Sequence, residues 1–279
     1  MGTTAGFEDL EVFNPPETYT SAARGYDAAS PGWGRVIDRT LELLRLGPGD
    51  DVLDIGCGPG ILSVRAAEPV SPGGSVTGVD VAEGMLAVAR EKAAEHGVGD
   101  AVSFELGDMH SLPFPDGRFD AIACSYAMFF AQSVTAVGRE LWRVLAPGGR
   151  LVVATIGEQF FEPMWTEFRR ETARHRPDLD TSMPWERRQV ADGGTLCGLL
   201  AAGDVRIRRL EVEDVPVPLS GPDDWWAIAE GTGIRRALEE MGADTAQAVR
   251  AANSGWMQEQ GVTSVTISTN FVLAERPPR

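Results

Sequence analysis

Three glycines and an acid form the part of the sequence with the clearest chemical use. They stand in the segment DIGCGPG (54–60), between an apolar run typical of a buried strand and a helical pattern. Glycine adopts left-handed backbone conformations without strain and lets a ligand approach the main chain closely. The helix that follows begins with unpaired N–H groups and a partial positive charge, which attract anions. We therefore predict that this loop binds a ligand that carries an anionic group.

Two further acids stand at the ends of the next two strand patterns. Asp80 ends one strand, and Asp108 follows the other in Gly107-Asp108-Met109. A carboxylate at the end of such a strand can accept hydrogen bonds from both hydroxyls of a ribose. An acid in the second position can accept a hydrogen bond from an adenine amino group. Either acid alone fits a helix cap or a loop, but three elements in order at successive strand ends predict a nucleoside site.

Alternating strand and helix patterns must position these residues. The predicted strands are 52–55, 75–80, 102–106, 119–124 and 150–156. The predicted helices are 35–46, 61–68, 83–96 and 133–146. Strands that alternate with helices form a parallel sheet with helices on both faces.

The pattern changes after residue 156. The sequence is aromatic and charged over 157–185, and it has helical patterns near 187–202 and over 222–260. Strand patterns occupy 205–212 and 262–274. Two late strands around a helical insertion are expected to close one edge of the sheet and to leave a cap.

The domain organisation follows from these patterns. We expect an N-terminal lead-in or lid over 1–34, a core over 35–156 and a cap insertion over 157–190. The late helix and strands of the core then occupy 191–279, with a helical cap insertion at 214–260.

Composition argues against nucleic acid and membrane as partners and against a disulfide or metal framework. The 279-residue chain has a formal net charge of −16, which disfavours nucleic acid, because Lys and Arg contacts to phosphate dominate that affinity. No stretch has the roughly 20 apolar residues of a membrane helix. Cys57, Cys124 and Cys197 are far apart in the sequence, so we expect neither a disulfide framework nor a metal site. We predict a cytoplasmic location, since a reducing compartment suits three free thiols.

Four blocks of sequence carry a resemblance to a known family. They are VLDIGCGPG (52–60), GVDVAEGML (78–86), FELGDMHSLPFPDGRFDAIACSYAMFF (104–130) and RELWRVLAPGGRLVVAT (139–155). In these blocks the chain resembles the class I S-adenosylmethionine (SAM) dependent methyltransferases, in particular the UbiE/COQ5-like small-molecule branch. The resemblance implies an α/β fold with a Rossmann-like, seven-stranded, mostly parallel sheet, helices on both faces and a helical cap insertion.

The resemblance also implies which residues bind SAM. Asp54 supports the glycine loop, and Asp80 binds the ribose. The remaining implied contacts are Gly56, Gly58 and Gly60 around the methionine part, Val81 and Met85 against the adenine, Asp108 on the adenine amino group, Met109 on the adenine ring, and Ser125 facing the methionyl end. A lead-in tyrosine often closes over the SAM carboxylate in such enzymes. Tyr26 is the candidate, and a packed aromatic is the alternative reading.

Candidates for acceptor chemistry are fewer. His110 follows the adenine loop and is the candidate catalytic base, with a surface-loop histidine as the alternative. His175 lies in a polar stretch where we expect solvent exposure. Phe129 and Phe130 are candidates for substrate contact, because they follow Ser125 at a strand end and small-molecule pockets are largely apolar. The alternative for the aromatic residues in general is that they pack the cap onto the core.

The predicted function is transfer of a methyl group from SAM to an O, N or C atom of a small, partly apolar metabolite. A specialised natural product is the leading acceptor class, and quinone or isoprenoid precursors come next. The expected partners are that acceptor and, as an open alternative, a second copy of the chain.

Three other functions stay open. The first is a cyclase or isomerase of the same fold that binds SAM without methyl transfer. The second is an NAD-dependent oxidoreductase, which is disfavoured because the dinucleotide motif needs a glycine where this chain has Ile61. The third is a non-catalytic SAM-binding protein.

Overall fold

A single sheet runs through the computed structural model, which describes residues 33–278 apart from the side chains of Trp185 and Arg187. Its strands are β1 (Asp51–Ile55), β2 (Ser75–Asp80), β3 (Val102–Leu106), β4 (Phe119–Ser125), β5 (Leu145–Ile156), β6 (Ile207–Pro218) and β7 (Ser264–Glu275). The order across the sheet is β3-β2-β1-β4-β5-β7-β6. Strands β1 to β5 are parallel, whereas β7 is antiparallel to β5 and to β6. This confirms the predicted seven-stranded, mostly parallel sheet.

Helices cover both faces of the sheet. They are α1 (Trp33–Leu44), α2 (Ile61–Val70), α3 (Glu83–Glu95), α4 (Val134–Val144), α5 (Met164–His175), α6 (Pro184–Arg187), α7 (Gly193–Ala202), α8 (Pro222–Gly231), α9 (Ile234–Met241) and α10 (Ala243–Gln260), with a short 3₁₀ helix at Met128–Phe130. Successive strand residues face opposite sides, so Val52 packs with α1 and α2 while Leu53 packs with α4 and α7. The two apolar layers hold the carboxyl ends of β1 to β5 at one edge.

The cap is built from aromatic contacts. Helix α10 packs on α5, α8 and α9. The cap aromatics are each 7% exposed or less: Phe160, Phe161, Trp165, Phe168, Trp225 and Trp226. Their rings form a continuous series, with centroid distances of 4.0 Å for Phe160–Phe161, 5.8 Å for Phe161–Trp225 and 6.2 Å for Phe168–Trp226. For these six residues, packing of the cap is therefore the reading that the structure supports.

Several element boundaries differ from the sequence expectation. Helix α2 continues through Pro69 to Val70 instead of ending at 68. The helical segment 222–260 is three helices, broken at Thr232-Gly233 and at Gly242. The late helix begins at Gly193, behind the Asp192 side chain that accepts a hydrogen bond from the Thr195 N–H.

Two strands are longer than their patterns suggested. Strand β6 begins at Ile207 and runs to Pro218, past the expected end at 212. Strand β6 is an edge strand of the sheet. It tolerates Pro216 and Pro218 because a proline, which has no N–H to donate, can face solvent there instead of a neighbouring strand. Strand β5 begins at Leu145, which pairs with Phe119 across an irregularity in the register.

The cysteines remain single thiols in the described residues. Cys57 and Cys124 are buried, Cys197 is partly buried, and none is in a disulfide. Burial raises the pKa of Cys124 to about 12, so this thiol stays protonated and unreactive. Over residues 33–278 we find no helix with the length and apolar character needed to cross a bilayer.

The buried amide of Asn253 generates a test of cap stability. Its Oδ1 accepts a hydrogen bond of 2.9 Å from the Nε1 of the fully buried Trp225. Asn253→Ala leaves that donor without a partner, so we expect the free energy of unfolding to fall by about 1–3 kcal/mol. Urea unfolding followed by tryptophan fluorescence measures the loss. Gln258→Ala, at an exposed position of the same helix, is the control, and an equal effect of both changes would show that the hydrogen bond is not the cause.

Candidate functional site

The glycine loop between β1 and α2 has a left-handed backbone at all three expected glycines. The φ angles are 66° at Gly56, 53° at Gly58 and 77° at Gly60. A Cβ at Gly56 would lie 2.3 Å from the Cβ of Ala127, beyond the end of β4. A Cβ at Gly58 would meet no atom of the described structure within 4 Å. The loop is thus tight on its inner side and open above Gly58.

Hydrogen bonds join this loop to the end of β2. The N–H groups of Gly56 and Cys57 donate to the carbonyl of Val79 at 2.8 and 3.1 Å. The Asp80 carboxylate accepts from the N–H of Gly58 and from the N–H of Ala82, both at 2.9 Å. Each carboxylate oxygen can accept a second hydrogen bond, so Asp80 can hold the loop and still bind ligand hydroxyls.

Asp54 lies beneath the loop and is 2% exposed. Its Oδ2 accepts a hydrogen bond of 2.6 Å from the Ser63 hydroxyl. Burial raises the pKa of Asp54 to about 7, and the nearby charge of Asp80 adds to the shift. Burial also raises the pKa of Asp80, against the lowering effect of its backbone donors. Two acids share a poorly solvated space here, which is an arrangement that a cationic ligand would relieve.

The end of β3 presents an exposed acid beside exposed apolar side chains. The Asp108 side chain is 61% exposed, as is Leu106, and Val81 at the end of β2 is 47% exposed. Burial is the largest single influence and raises the pKa of Asp108, but the hydrogen bonds and the charge of His110 together hold it below its usual value. An acceptor carboxylate flanked by apolar surface matches a flat apolar ring with an amino group.

Met85 and Met109, two of the expected adenine contacts, differ in burial. Met85 is 2% exposed and packs with Ala82, whereas Met109 is partly buried against the main core. Leu106 was missed by the sequence analysis, although its position as the last apolar residue of β3 was an available signal.

Both ring nitrogens of His110 are engaged. Nδ1 lies 2.7 Å from Asp108 Oδ1, and Nε2 accepts from the backbone N–H of Gln132 at 3.2 Å. An Nε2 that accepts requires the ring proton on Nδ1, where it is donated to Asp108. In this conformation neither nitrogen is free to take a proton from an acceptor, and a role as catalytic base stays a prediction. His175 is exposed at the end of α5, as expected.

The end of β4 carries a strained tyrosine that the sequence analysis missed. Ser125 Oγ lies 3.3 Å from Thr40 Oγ1, and the next residue, Tyr126, has a φ of 53°. Its hydroxyl lies 2.6 Å from Thr269 Oγ1, and its ring packs edge-on against Trp33 and Phe160. A left-handed non-glycine residue costs about 1–3 kcal/mol, and Tyr126 shares this conformation with Arg45, Phe161, Gln189 and Asp204. Its place directly after Ser125 was the available signal.

The two predicted substrate residues follow in the 3₁₀ helix. Phe129 is 5% exposed in the main core, and Phe130 is partly exposed against it. Their ring centroids are 4.6 Å apart. Tyr26, the other candidate at this edge, lies outside the described residues.

Comparison with known proteins agrees with this geometry. Residues 52–149 match the family model described as a methyltransferase domain. The chain is 35% identical over 149 residues to a demethylmenaquinone methyltransferase of Symbiobacterium thermophilum, which covers 52% of this chain and 59% of that protein. It is 42% identical over 127 residues to a nocamycin O-methyltransferase of Saccharothrix syringae, which covers 45% of each. The chain thus spans about half the length of the curated relatives it matches.

A solved structure shares the fold. The crystal structure of the (4+2)-cyclase SpnF superposes with a TM-score of 0.55 and 23% identity, over 88% of this chain and 81% of that one. This likeness concerns the fold alone.

The cofactor of the matched family fits the residues of this site. The open space above Gly58 admits the methionine part, the oxygens of Asp80 have capacity for the ribose hydroxyls, and Asp108 stands beside apolar surface at the next strand end. The match favours a SAM site over the dinucleotide alternative, which Ile61 disfavoured. Residues 52–149 of this chain match a methyltransferase domain, the relatives named above are methyltransferases, and SAM is the cofactor that this match indicates.

Proposed function

We propose that this chain transfers a methyl group from SAM to an O, N or C atom of a small, partly apolar metabolite, with a specialised natural product as the leading class. The observation that carries the proposal is the glycine loop fixed to Asp80 with open space above Gly58. The relatives named for demethylmenaquinone and for nocamycin support an acceptor of this general kind.

In the proposed complex each part of the cofactor has a protein contact. Gly56, Gly58 and Gly60 surround the methionine part, and Asp80 accepts from the ribose hydroxyls. Asp108 accepts from the adenine amino group, with Val81 against the ring, and Ser125 faces the methionyl end. The role of Tyr26 over the SAM carboxylate stays a prediction. When bound, SAM supplies a methyl group already activated on a sulfonium.

The remaining task of the protein is to hold the acceptor. Alignment of two reactants in a closed site can contribute about 7–11 kcal/mol to lowering a barrier in the best cases. Phe130 and the strained turn at Tyr126 lie at the carboxyl end of β4, beside the glycine loop, and are the surfaces that we assign to the acceptor. Phe129 supports Phe130 from within the core.

An activity assay with a labelled methyl group tests the proposal. Purified protein is incubated with SAM and a panel of phenols, carboxylic acids and naphthoquinols, and both S-adenosylhomocysteine (SAH) and methylated product are quantified by mass spectrometry. Equal amounts of the two are expected for at least one acceptor. A rearranged acceptor formed without SAH would replace the proposal with a cyclase or isomerase. No reaction across the panel, with SAM firmly bound, would favour a binding protein.

Loss of the Asp80 carboxylate is expected to weaken cofactor binding strongly. Asp80→Ala removes the acceptor for the Gly58 N–H and for the ribose, so we predict that the Kd for SAH rises about a hundredfold. Isothermal titration calorimetry measures it. Asp100→Ala, an exposed acid after α3, serves as the control, and an unchanged Kd in Asp80→Ala would remove the ribose assignment.

A side chain at Gly58 is expected to block the site. Gly58→Val would project into the open space above the loop, and we predict that SAH no longer binds at concentrations that saturate the natural protein. Gly148→Val is a matched control, because Gly148 also has a left-handed φ and open space around it. Gly148 lies near the amino end of β5, away from the carboxyl ends of the strands. Both variants should show a similar fall in thermal stability, and normal SAH binding by Gly58→Val would contradict the placement of the methionine part.

The raised pKa of Asp54 predicts a pH dependence of stability. Because the folded-state pKa of about 7 lies above the ordinary aspartate value of 3.8, the folded state holds a proton that the unfolded state has lost between these values. The contribution of Asp54 is therefore fully present below pH 3.8 and is lost as pH rises towards 7. Asp54→Asn removes this dependence and keeps an acceptor for Ser63. We expect Asn to be more favourable relative to Asp at pH 8 than at pH 5 in urea unfolding, and a difference that does not vary with pH would contradict the shift.

A further inference from the structure

Arg188 is a partly buried cation that has no carboxylate partner among the described residues. It follows α6, and its Nη1 donates a hydrogen bond of 3.2 Å to the carbonyl of Gln132. Among the side chains that the structure describes, no carboxylate oxygen lies within 4.0 Å of its guanidinium nitrogens. A guanidinium has five N–H donors, so most of its hydrogen-bonding capacity is left for another group.

Other partly buried arginines of the chain are satisfied within the protein. Arg39 pairs with Glu211 at 2.5 Å and Glu213 at 2.7 Å, and Arg150 pairs with Asp50 at 2.8 Å. Arg276 has no carboxylate but donates to three carbonyls at the end of α4. Arg188 differs from these three arginines, because within residues 33–278 its one recorded acceptor is the Gln132 carbonyl.

Partial burial of the Arg188 charge without a counter-charge raises the free energy of the folded protein. Burial lowers the pKa of Arg188, and no opposing charge contributes to its environment. A charge that is partly removed from water without a counter-charge destabilises the folded protein. An anion that enters this place would recover that free energy, so the site favours anionic ligands over neutral ones.

A chain of hydrogen bonds places Arg188 beside the candidate acceptor region. Its partner Gln132 donates its N–H to His110, and His110 binds Asp108 at the adenine end. Gln132 stands two residues after Phe130, and α6 packs against the 3₁₀ helix that holds Phe130. Arg188 therefore borders the same sheet edge as the proposed cofactor and acceptor contacts.

We propose that Arg188 binds an anionic oxygen group of the methyl acceptor, a carboxylate or a phosphate, and so selects metabolites with an anionic group on an apolar body. The planar guanidinium presents paired N–H donors that match the two oxygens of such groups. This assignment rests on the proposed function, since it concerns the acceptor of the methyl group.

Calorimetry on SAH-saturated protein tests the selection with defined probes. The probes are decanoate against decanamide, 4-hydroxycinnamate against its amide, and decyl phosphate against decanol. We expect at least one anion to bind about tenfold more tightly than its neutral counterpart. The first two pairs identify a carboxylate site, and the third identifies a phosphate site.

Variants attribute the preference to one side chain. Arg188→Gln should bring each anion to the affinity of its neutral counterpart, whereas Arg188→Lys keeps the charge and should retain part of the preference. Arg206→Gln, an exposed arginine before β6, should change nothing. The proposal is wrong if no anion exceeds its neutral counterpart in the natural protein, or if the preference survives in Arg188→Gln. A preceding SAH titration separates these results from a failure of cofactor binding, because Arg188→Gln should bind SAH with unchanged affinity.

Discussion

The site depends on the hydrogen bonds that fix a left-handed glycine loop to the end of β2. The Val79 carbonyl accepts the N–H groups of Gly56 and Cys57, and the Asp80 carboxylate accepts those of Gly58 and Ala82. Without those acceptors the N–H groups would compete for water and the loop would lose its shape, because backbone donors near the core need partners. The bonds leave the upper side of Gly58 open, and that opening is where we propose that the cofactor binds.

The same loop is also locked to β4. Gly56 lies so close to Ala127 that a single added carbon would overlap it, and Ala127 follows the strained Tyr126. The strain at Tyr126 is offset by its hydroxyl contact to Thr269 on β7 and by the rings of Trp33 and Phe160. Ends of β1, β2, β4 and β7 are thus held in one arrangement. A change at any of them is expected to reach the cofactor loop through direct contacts.

The cap has a different physical character from the site edge. Its aromatic residues are buried against each other, and Trp225 is held by Asn253. These groups build a firm support and present little surface to a ligand. In our proposal, polar contact with an acceptor depends on the few groups at the boundary, among which Arg188 has no carboxylate partner within the part of the chain that the structure describes. We propose that the cap sets where the acceptor lies and that the boundary residues select it.

Local sequence patterns predicted much of the fold. The period-two strands, the glycine loop and the order of Asp54, Asp80 and Asp108 predicted the sheet and the cofactor edge, because these features depend on neighbours in sequence. The left-handed turn at Tyr126 could not be predicted in the same way, since its contacts are with Thr269, Trp33 and Phe160, which are distant in sequence.

The same limit applies to His110 and to Arg188. Whether His110 is a base or a linker depends on Gln132, and the isolation of Arg188 depends on the placement of every acid in the cap. The sequence pattern also missed both breaks in 222–260, at Thr232-Gly233 and at Gly242, where φ is 80°.

Calorimetric titration of the purified chain with SAM and with SAH tests the central assignment most directly. A sulfonium nucleoside held between the glycine loop and two strand-end carboxylates should give saturable binding of both compounds at one site per chain. Absence of measurable binding by either compound would contradict the assignment of this edge of the sheet as the cofactor site.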